Sequence, residues 1–149
     1  MSRATTIAIK DGILAYDSRV TQGDRVLDDN FNKRRTKNGV QFFIAGNMTD
    51  DEAVMDGYFS GVDVIEDIEG NPNADFLIVD GTDIYYGGVC QEAFWKMKLT
   101  NSTPYAIGSG SSYALGAMAA GATAKEAVQI ATRDVFTGGR VRIYKITKK

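Results

Sequence analysis

Three side chains in the first 33 residues could cooperate in nucleophilic chemistry: Thr5, Asp17 and Lys33. The chain contains no histidine, which excludes Ser-His-Asp and Cys-His catalysis. A hydroxyl nucleophile would therefore need a lysine, a carboxylate or an α-amine as its base. A threonine close to the start of the chain suggests an N-terminal nucleophile, although Thr5 and Thr6 also suit a β-strand simply as β-branched residues.

A β-hairpin around Asp11-Gly12 is the element that would bring two of these side chains together. Asp-Gly is a preferred pair for a type I′ turn because both central residues need positive φ. Counting outwards from that turn places Thr6 opposite Asp17 and Thr5 opposite Ser18. A hydroxyl near the start of the chain therefore lies beside a carboxylate.

Composition and charge exclude several classes of function. The 149-residue chain has a size typical of one domain, and its net charge of −2 argues against a nucleic-acid partner. The single cysteine, Cys90, excludes an internal disulfide and a cysteine-rich zinc site. The sequence has neither a long apolar run nor a signal peptide, so we expect a cytoplasmic protein without a membrane partner. We also expect neither a metal nor another cofactor.

Hydrophobic patterns predict both strands and helices along the rest of the chain. Residues 40–45 are nearly all apolar, which predicts a strand that is buried on both faces. Two capping boxes, Thr49 to Glu52 and Thr123 to Glu126, predict the starts of helices that end near Ser60 and Asp134. Further predicted segments are strands near 31–33, 92–99, 105–107 and 140–146, a hairpin over 76–86 and a helix over 112–121. Antiparallel strands with grouped helices predict an α+β sandwich of helices over two sheets.

Two glycine-containing motifs occur in the last third of the chain. Gly108-Ser109-Gly110 lies between a predicted strand and a predicted helix, but it lacks the third glycine of a dinucleotide loop and the lysine of a P-loop. A tight turn with a helix start explains it equally well. Thr137-Gly138-Gly139, which follows Arg133-Asp134, is typical of a helix exit with a glycine cap.

Taken together, these segments resemble the proteasome β-subunit family, which includes the bacterial homologue HslV. Each segment alone is a weak signal, whereas six in register over nearly the whole chain are specific. The similar segments are Thr5-Thr6-Ile7-Ala8; Ala15 to Gly23 with Asp17, Arg19, Val20 and Thr21; Asn30 with Lys33; Ala45-Gly46 with Asp50; Ile107 to Gly110; and Arg133-Asp134 with Thr137-Gly138-Gly139.

The resemblance implies an αββα four-layer sandwich of the N-terminal nucleophile hydrolase type. Its helix layer would be reduced, because only one helix is predicted between Gly46 and Phe76 where the family has two. Residues 1–4 would be a short propeptide and residues 5–149 a single proteasome-β-like domain. The expected activity is that of a threonine endopeptidase, with the uncleaved chain as its zymogen. The expected partners are a peptide or unfolded protein substrate, further copies in a homo-oligomer such as a ring, and an unfoldase ATPase.

The resemblance also implies a role for each candidate residue. Thr5 would be the nucleophile, with its freed α-amine as the base; Lys33 would lower the pKa of its hydroxyl, and Asp17 would hold Lys33 by an ion pair. Gly46 would donate its N–H to the oxyanion. The other candidates would position the N-terminus and the water (Ser109, Asp134 and Thr137) or hold an extended peptide by strand addition (Val20 and Thr21).

Two alternatives stay open at this point. A non-catalytic assembly or binding subunit would keep the fold and an uncleaved N-terminus. Ala4 fits that alternative, because self-cleaving relatives favour glycine before the cleaved bond. An N-terminal serine amidase would instead act through Ser2, which removal of the initiator methionine would expose.

Overall fold

The computed structural model describes residues 2–3, 5–100 and 103–146, which form two antiparallel β-sheets and three α-helices. The strands, in chain order, are β1 (Ser2–Arg3), β2 (Thr6–Lys10), β3 (Ile13–Tyr16), β4 (Val20–Gln22), β5 (Arg25–Asp28), β6 (Arg34–Lys37), β7 (Val40–Asn47), β8 (Val64–Ile65), β9 (Ala74–Asp80), β10 (Asp83–Cys90), β11 (Ala93–Leu99), β12 (Tyr105–Gly108) and β13 (Arg142–Lys145). The helices are α1 (Asp51–Phe59), α2 (Ser111–Ala119) and α3 (Ala124–Ile130), with short 3₁₀ turns over Met48–Asp50 and Ala131–Arg133.

The two sheets differ in size and in how their strands are connected. Among the described residues, the larger sheet has nine strands in the order β5-β4-β1-β7-β9-β10-β11-β8, with β6 also paired to β7. The smaller sheet has four strands in the order β12-β2-β3-β13. The first hairpin, β2 and β3, thus forms the centre of the smaller sheet, and the residues just outside it lie at the end of that sheet.

Apolar side chains form three clusters that hold four layers together. Helix α1 covers the outer face of the larger sheet with Val54 and Met55. Helices α2 and α3 cover the outer face of the smaller sheet, where Ala8 and Ala15 permit close packing. The order helix, sheet, sheet, helices agrees with the predicted α+β sandwich. The cluster between the sheets includes Ile7, Leu14 and Tyr16 from the smaller sheet and Phe43, Leu77 and Val79 from the larger.

The helix layer over the larger sheet is thin, as predicted. Between Gly46 and Ala74 the structure describes one α-helix, α1, which follows the 3₁₀ turn over Met48–Asp50. The α-helices of the described residues contain nine residues at most. None of them is long and apolar enough to cross a membrane.

The first hairpin has the predicted register. Ile7 pairs with Tyr16 across the smaller sheet, and the turn residues Asp11 and Gly12 have φ angles of 54° and 75°. Positive φ at both central positions is the geometry of a type I′ turn, whose twist matches that of the flanking strands. A two-residue turn therefore decides which residues face each other at the far end of the hairpin.

Of the two predicted capping boxes, only the second forms. Thr123 Oγ1 accepts the N–H of Glu126 at 3.1 Å, and the Glu126 carboxylate accepts the N–H of Thr123 at 2.9 Å. Helix α3 then ends at Ile130, earlier than predicted, because a 3₁₀ turn follows it. The first box is wrong: Asn47 Oδ1 accepts the N–H of Thr49 at 3.2 Å and starts a 3₁₀ turn instead, so α1 begins only after that turn.

The predicted strand near residues 31–33 is also wrong, because β5 and β6 lie on either side of this segment. Asn32 Oδ1 accepts the N–H of Arg34 at 3.1 Å. A short polar side chain of this kind gives the backbone a local partner in place of a neighbouring strand. The irregular segment lets Lys33 turn its side chain into the interior, where it is fully buried.

The N-terminal strand β1 lies between two strands of the larger sheet. Ser2 pairs with Thr21 of β4 on one side and with Asn47 of β7 on the other, and Arg3 pairs with Gly46. In the part of the chain that the structure describes, the β4–β5 hairpin joins the larger sheet only through β1. The segment before Thr5 therefore fills a gap that two other strands would otherwise border.

Two glycine-to-alanine substitutions test the backbone conformation of the first turn. Gly12 has a φ of 75°, whereas Gly116 lies in α2 with open space where a Cβ would be. We expect Gly12→Ala to lower the free energy of unfolding by about 1–2 kcal/mol. We expect Gly116→Ala to raise it by about 0.5–1 kcal/mol, because alanine favours a helix. Urea unfolding followed by circular dichroism measures both values, and a stabilising Gly12→Ala would contradict the turn geometry.

Candidate active site

Thr5, Asp17 and Lys33 form a buried, hydrogen-bonded cluster. Lys33 Nζ donates to Thr5 Oγ1 at 2.6 Å and to Asp17 Oδ1 at 2.7 Å. Thr5 Oγ1 also donates to that carboxylate oxygen. All three side chains are fully buried. Since an ammonium removed from water needs an opposite charge and hydrogen bonds, Lys33 and Asp17 stabilise each other and hold the hydroxyl between them.

Separate elements supply these three side chains. Thr5 directly precedes β2, Asp17 directly follows β3 and Lys33 directly precedes β6. The hairpin register brings the first two together as predicted, and the Asp17 N–H donates to the Thr6 carbonyl at 3.4 Å. Lys33 approaches from a segment that leads into the larger sheet, so the cluster joins the two sheets at one end.

The backbone around Gly138 completes the surroundings of Asp17, and the sequence did not predict this. The Gly138 N–H donates to Asp17 Oδ2 at 2.9 Å, and the Gly138 carbonyl accepts the N–H of Ser18 at 3.0 Å. Arg19 holds the same loop by donating to the Val135 carbonyl at 2.9 Å. The only signal in the sequence was the glycine pair after residue 137, which is also typical of an ordinary helix exit.

A second polar cluster lies against the backbone of Thr5. Ser109 Oγ donates to Asp134 Oδ2 at 2.5 Å and lies 3.4 Å from the Thr5 carbonyl oxygen. Thr137 Oγ1 donates to the same Asp134 oxygen at 2.8 Å and lies 2.8 Å from Thr6 Oγ1. The structure thus brings together three residues that are far apart in the sequence, next to the proposed nucleophile. Thr6 is a member of this cluster that the sequence did not predict.

The glycines of Gly108-Ser109-Gly110 allow the backbone to approach these threonines closely. A Cβ at Gly110 would lie 2.1 Å from Thr6 Oγ1 and 3.0 Å from Thr137 Oγ1. Gly108 has a φ of 99°, and a Cβ there would lie 1.8 Å from the Thr5 carbonyl oxygen. Both glycines of the motif are therefore required, because any side chain there would collide with Thr5 or Thr6. The motif is a turn that also forms part of the site.

A cleft of about 530 Å³ opens beside the site and is lined by Gly46 and Ser109, among others. Gly46 has a φ of 133°, and a Cβ at this position would lie 2.8 Å from the Asn73 carbonyl oxygen. Only glycine fits this backbone without strain. Gly46 thus lies at the wall of the cleft, where it presents no side chain.

Val20 and Thr21 lie on β4, on the other side of β1 from Gly46. Both residues are almost completely buried, and Thr21 pairs with Ser2. The strand that was expected to hold an extended peptide therefore already has an extended segment beside it. Neither residue lines the open cleft described above.

Asp75 is a further carboxylate that lines the cleft. It pairs with Ala45 on β7 and with Gly88 on β10, and a Cβ at Gly88 would lie 3.1 Å from one carboxylate oxygen of Asp75. Partial burial of the carboxyl raises the pKa of Asp75 above its ordinary value of 3.8. The sequence gives no signal for this, because an aspartate just before the apolar run 76–79 is typical of an ordinary surface residue.

Comparisons with known proteins add information on the fold. No protein-family model matches the chain, and no curated protein matches it. Among solved structures, the chain is similar to BPH of Thiobacillus denitrificans in complex with epoxomicin. The two chains are 22% identical with a TM-score of 0.60, and the similarity covers 96% of this chain and 98% of that one. At this identity the similarity shows a common fold over nearly the full length.

The Lys33–Asp17 pair can be tested by a double-mutant cycle. Lys33→Met leaves the buried Asp17 charge without its ammonium, so we expect a loss of about 3–5 kcal/mol in the free energy of unfolding. Adding Asp17→Asn removes that charge and should recover part of the loss. As a control, Lys98→Met removes an exposed ion pair with Asp83 (Nζ to Oδ1, 3.0 Å), and we expect it to cost less than about 1 kcal/mol. Urea titrations of the parent chain, the two single variants Lys33→Met and Asp17→Asn, the double variant and Lys98→Met give the values that the cycle and its control need. Similar losses for both lysines would contradict a role for the burial of the Lys33–Asp17 pair.

Asp75 should make stability depend on pH. Because its pKa is raised in the folded chain, the folded state holds the proton more tightly, and stability falls as pH rises through the window that begins near 3.8. Asp75→Asn should therefore match the parent chain near about pH 3 and exceed it at about pH 7. Asp24→Asn, on an exposed turn, is the control and should not reproduce this difference. A gain from Asp75→Asn that is the same at both pH values would contradict the assignment.

Proposed function

We propose that this chain is a threonine-type N-terminal nucleophile peptidase of the proteasome β type, active once the bond before Thr5 has been cleaved. The observation that carries the proposal is the fully buried Lys33 ammonium, 2.6 Å from Thr5 Oγ1 and 2.7 Å from Asp17 Oδ1. A cation in this position stabilises a developing alkoxide strongly, because no water competes with it. The reaction class is acyl transfer to the threonine oxygen followed by hydrolysis.

The base in this proposal is the α-amine of Thr5. While residues precede Thr5, its nitrogen is an amide that cannot accept a proton. Asp17 is a poor substitute, because its oxygens already accept hydrogen bonds from Lys33 and from the Gly138 N–H. Cleavage before Thr5 would thus convert an inactive zymogen into the active enzyme, with the hydroxyl proton passing to the freed amine directly or through water.

The second polar cluster suits the task of positioning that amine and the hydrolytic water. Ser109, Asp134 and Thr137 are linked through one carboxylate oxygen, and Ser109 Oγ lies 3.4 Å from the carbonyl oxygen of Thr5. Gly46, at the wall of the cleft, would donate its N–H to the oxyanion. A donor of this kind contributes about 3–4 kcal/mol in other hydrolases.

The pairing of β1 indicates how a peptide would bind. Ser2–Arg3 runs antiparallel to β4 and to β7. A substrate strand in the same place would be held by strand addition, with Thr21 on one side and Gly46 on the other; Val20 would support it from β4. Because Thr5 is fully buried, removal or displacement of the N-terminal segment belongs to activation. Met1 and Ala4 lie outside the described residues.

Oligomeric assembly and a cytoplasmic location are also part of the proposed function. The solved BPH structure has epoxomicin bound, which is consistent with a ligand-binding role for this type of fold. We propose a cytoplasmic homo-oligomer, such as a ring, that receives unfolded protein from an ATPase. Exposed apolar side chains on and after α2 and α3, Tyr113, Ile130 and Val135, would favour such contacts.

The same β1 strand favours a second candidate function. A non-catalytic subunit would keep Ser2–Arg3 permanently between β4 and β7, with Thr5 buried as a structural residue. The serine amidase alternative depends on the Ser2 side chain, which lies outside the described residues. The backbone of Ser2 is paired on both sides, so this role would require the whole strand to leave the sheet.

Intact mass and peptide turnover distinguish the candidates. We expect purified protein to yield a species that begins at Thr5, and we expect this species to cleave a fluorogenic peptide. Thr5→Ala removes the nucleophile and should abolish self-cleavage and lower turnover by at least about 10³-fold. Thr36→Ala, which changes an exposed threonine bonded to Gln41, is the matched control and should change neither.

A chain made to begin at Thr5 by removal of a fusion partner separates self-cleavage from catalysis. Turnover by this chain supports the peptidase even if the full chain does not cleave itself. A full-length mass, together with no turnover from the shortened chain, overturns the peptidase and supports the non-catalytic subunit. Reaction of an electrophilic probe at Ser2 instead of Thr5 would identify the amidase.

A further inference from the structure

A second cavity of about 530 Å³ has a strongly basic lining. It is bordered by Arg34, Lys125, Arg140 and Arg142, together with Tyr16 and Asn32. We refer to these six residues as the basic pocket. In the part of the chain that the structure describes, no Asp or Glu lines this cavity. In a chain with a net charge of −2, four cations around one cavity are a local concentration of positive charge.

The four cations of the basic pocket differ from six other cations of the protein in having no carboxylate partner among the described residues. Six other lysines and arginines form ion pairs with carboxylates: Arg19, Lys33, Arg35, Lys37, Lys96 and Lys98. Within the described residues, none of the four pocket cations has such a pair. Like charges that share a cavity repel one another, so an anion that entered it would relieve this repulsion.

The donors of the basic pocket are also incompletely used. Arg142 Nη2 donates to Asn30 Oδ1 at 3.0 Å, but Arg142 Nε is buried and, among the described residues, has no hydrogen-bond acceptor. An unsatisfied buried donor costs free energy and is rare. Arg34 packs over the ring of Tyr144, with its guanidinium carbon 5.2 Å from the ring centroid. This stacking fixes its guanidinium without neutralising it.

We propose that the basic pocket binds a small anion with two or more phosphoryl groups, either free or as part of a nucleotide. Guanidinium groups present pairs of N–H donors that match phosphate oxygens, and several of them suit a multivalent anion. A single carboxylate would balance only one of the four positive charges. The cavity, at about 530 Å³, has room for more than one phosphoryl group, which favours a diphosphate over a lone ion.

The pocket is connected to the candidate active site through the backbone. Tyr16 immediately precedes Asp17, and Asn32 immediately precedes Lys33. Ser18 Oγ also donates to the Arg140 carbonyl at 2.5 Å. An anion bound here would therefore stabilise the segments that carry the buried ion pair. The inference concerns the pocket alone and does not depend on the proposed peptidase activity.

Calorimetric titration of the full-length chain with inorganic pyrophosphate, at constant ionic strength, tests the proposal. We expect saturable binding with one site per chain. Arg34→Gln and Arg142→Gln should each weaken binding about tenfold or more, because each removes charge-assisted hydrogen bonds. Arg25→Gln, on exposed β5, is the matched control and should leave the affinity unchanged. Tighter binding of a nucleoside diphosphate than of pyrophosphate would support a nucleotide as the source of the phosphoryl groups.

Three results would overturn the proposal. The first is the absence of saturable binding, and the second is an equal loss of affinity in Arg25→Gln. The third is tighter binding of an acidic peptide than of pyrophosphate, which would make the pocket a protein-docking site. If Arg142→Gln does not fold, Arg140→Gln replaces it, because Arg140 is exposed and its backbone carbonyl, which the substitution keeps, accepts the Ser18 hydrogen bond.

Discussion

The buried ion pair between Lys33 and Asp17 is the interaction on which the rest of the site depends. Two charges removed from water are stable only if their geometry is good and their remaining hydrogen-bonding capacity is satisfied. Here the carboxylate accepts from Lys33 and from the Gly138 N–H, and the ammonium also donates to Thr5. The pair thus requires the segments around Thr5, Asp17, Lys33 and Gly138 to meet at one end of the two sheets. As a result, the hydroxyl of Thr5 lies between an ammonium and a carboxylate.

Small residues make this convergence sterically feasible. Gly108 and Gly110 let one turn approach the backbone and hydroxyls of Thr5 and Thr6, and Gly46 leaves the wall of the cleft free of a side chain. On the outer face of the smaller sheet, alanines let α2 and α3 pack closely. Both at the site and under the helices, therefore, the sequence has glycine or alanine wherever two backbones come close.

Two features outside the ion pair bear on how the site would be controlled. The N-terminal strand lies between β4 and β7, in the place that we propose for an extended peptide. The basic pocket borders the same hairpin through Tyr16. The N-terminal strand fills the gap between two strands of the larger sheet. In the basic pocket, the four cations have no carboxylate partner among the described residues. Both features adjoin the segments that carry Thr5 and Asp17.

The sequence by itself determined features that depend on short-range geometry. Asp11-Gly12 set the hairpin register, and Thr123 with Glu126 set the start of α3, because each turn or cap is formed by residues within three positions of one another. The resemblance to a family also named the residues of both polar clusters except Thr6. The first Thr-x-x-Glu segment failed as a capping box for an equally local reason, because Asn47, two residues before Thr49, starts a 3₁₀ turn ahead of α1. Tertiary structure alone decided the contacts of Gly138, Thr6 and β1, because these hydrogen bonds join segments far apart in the chain, and no local pattern records which backbones will meet once the sheets have packed.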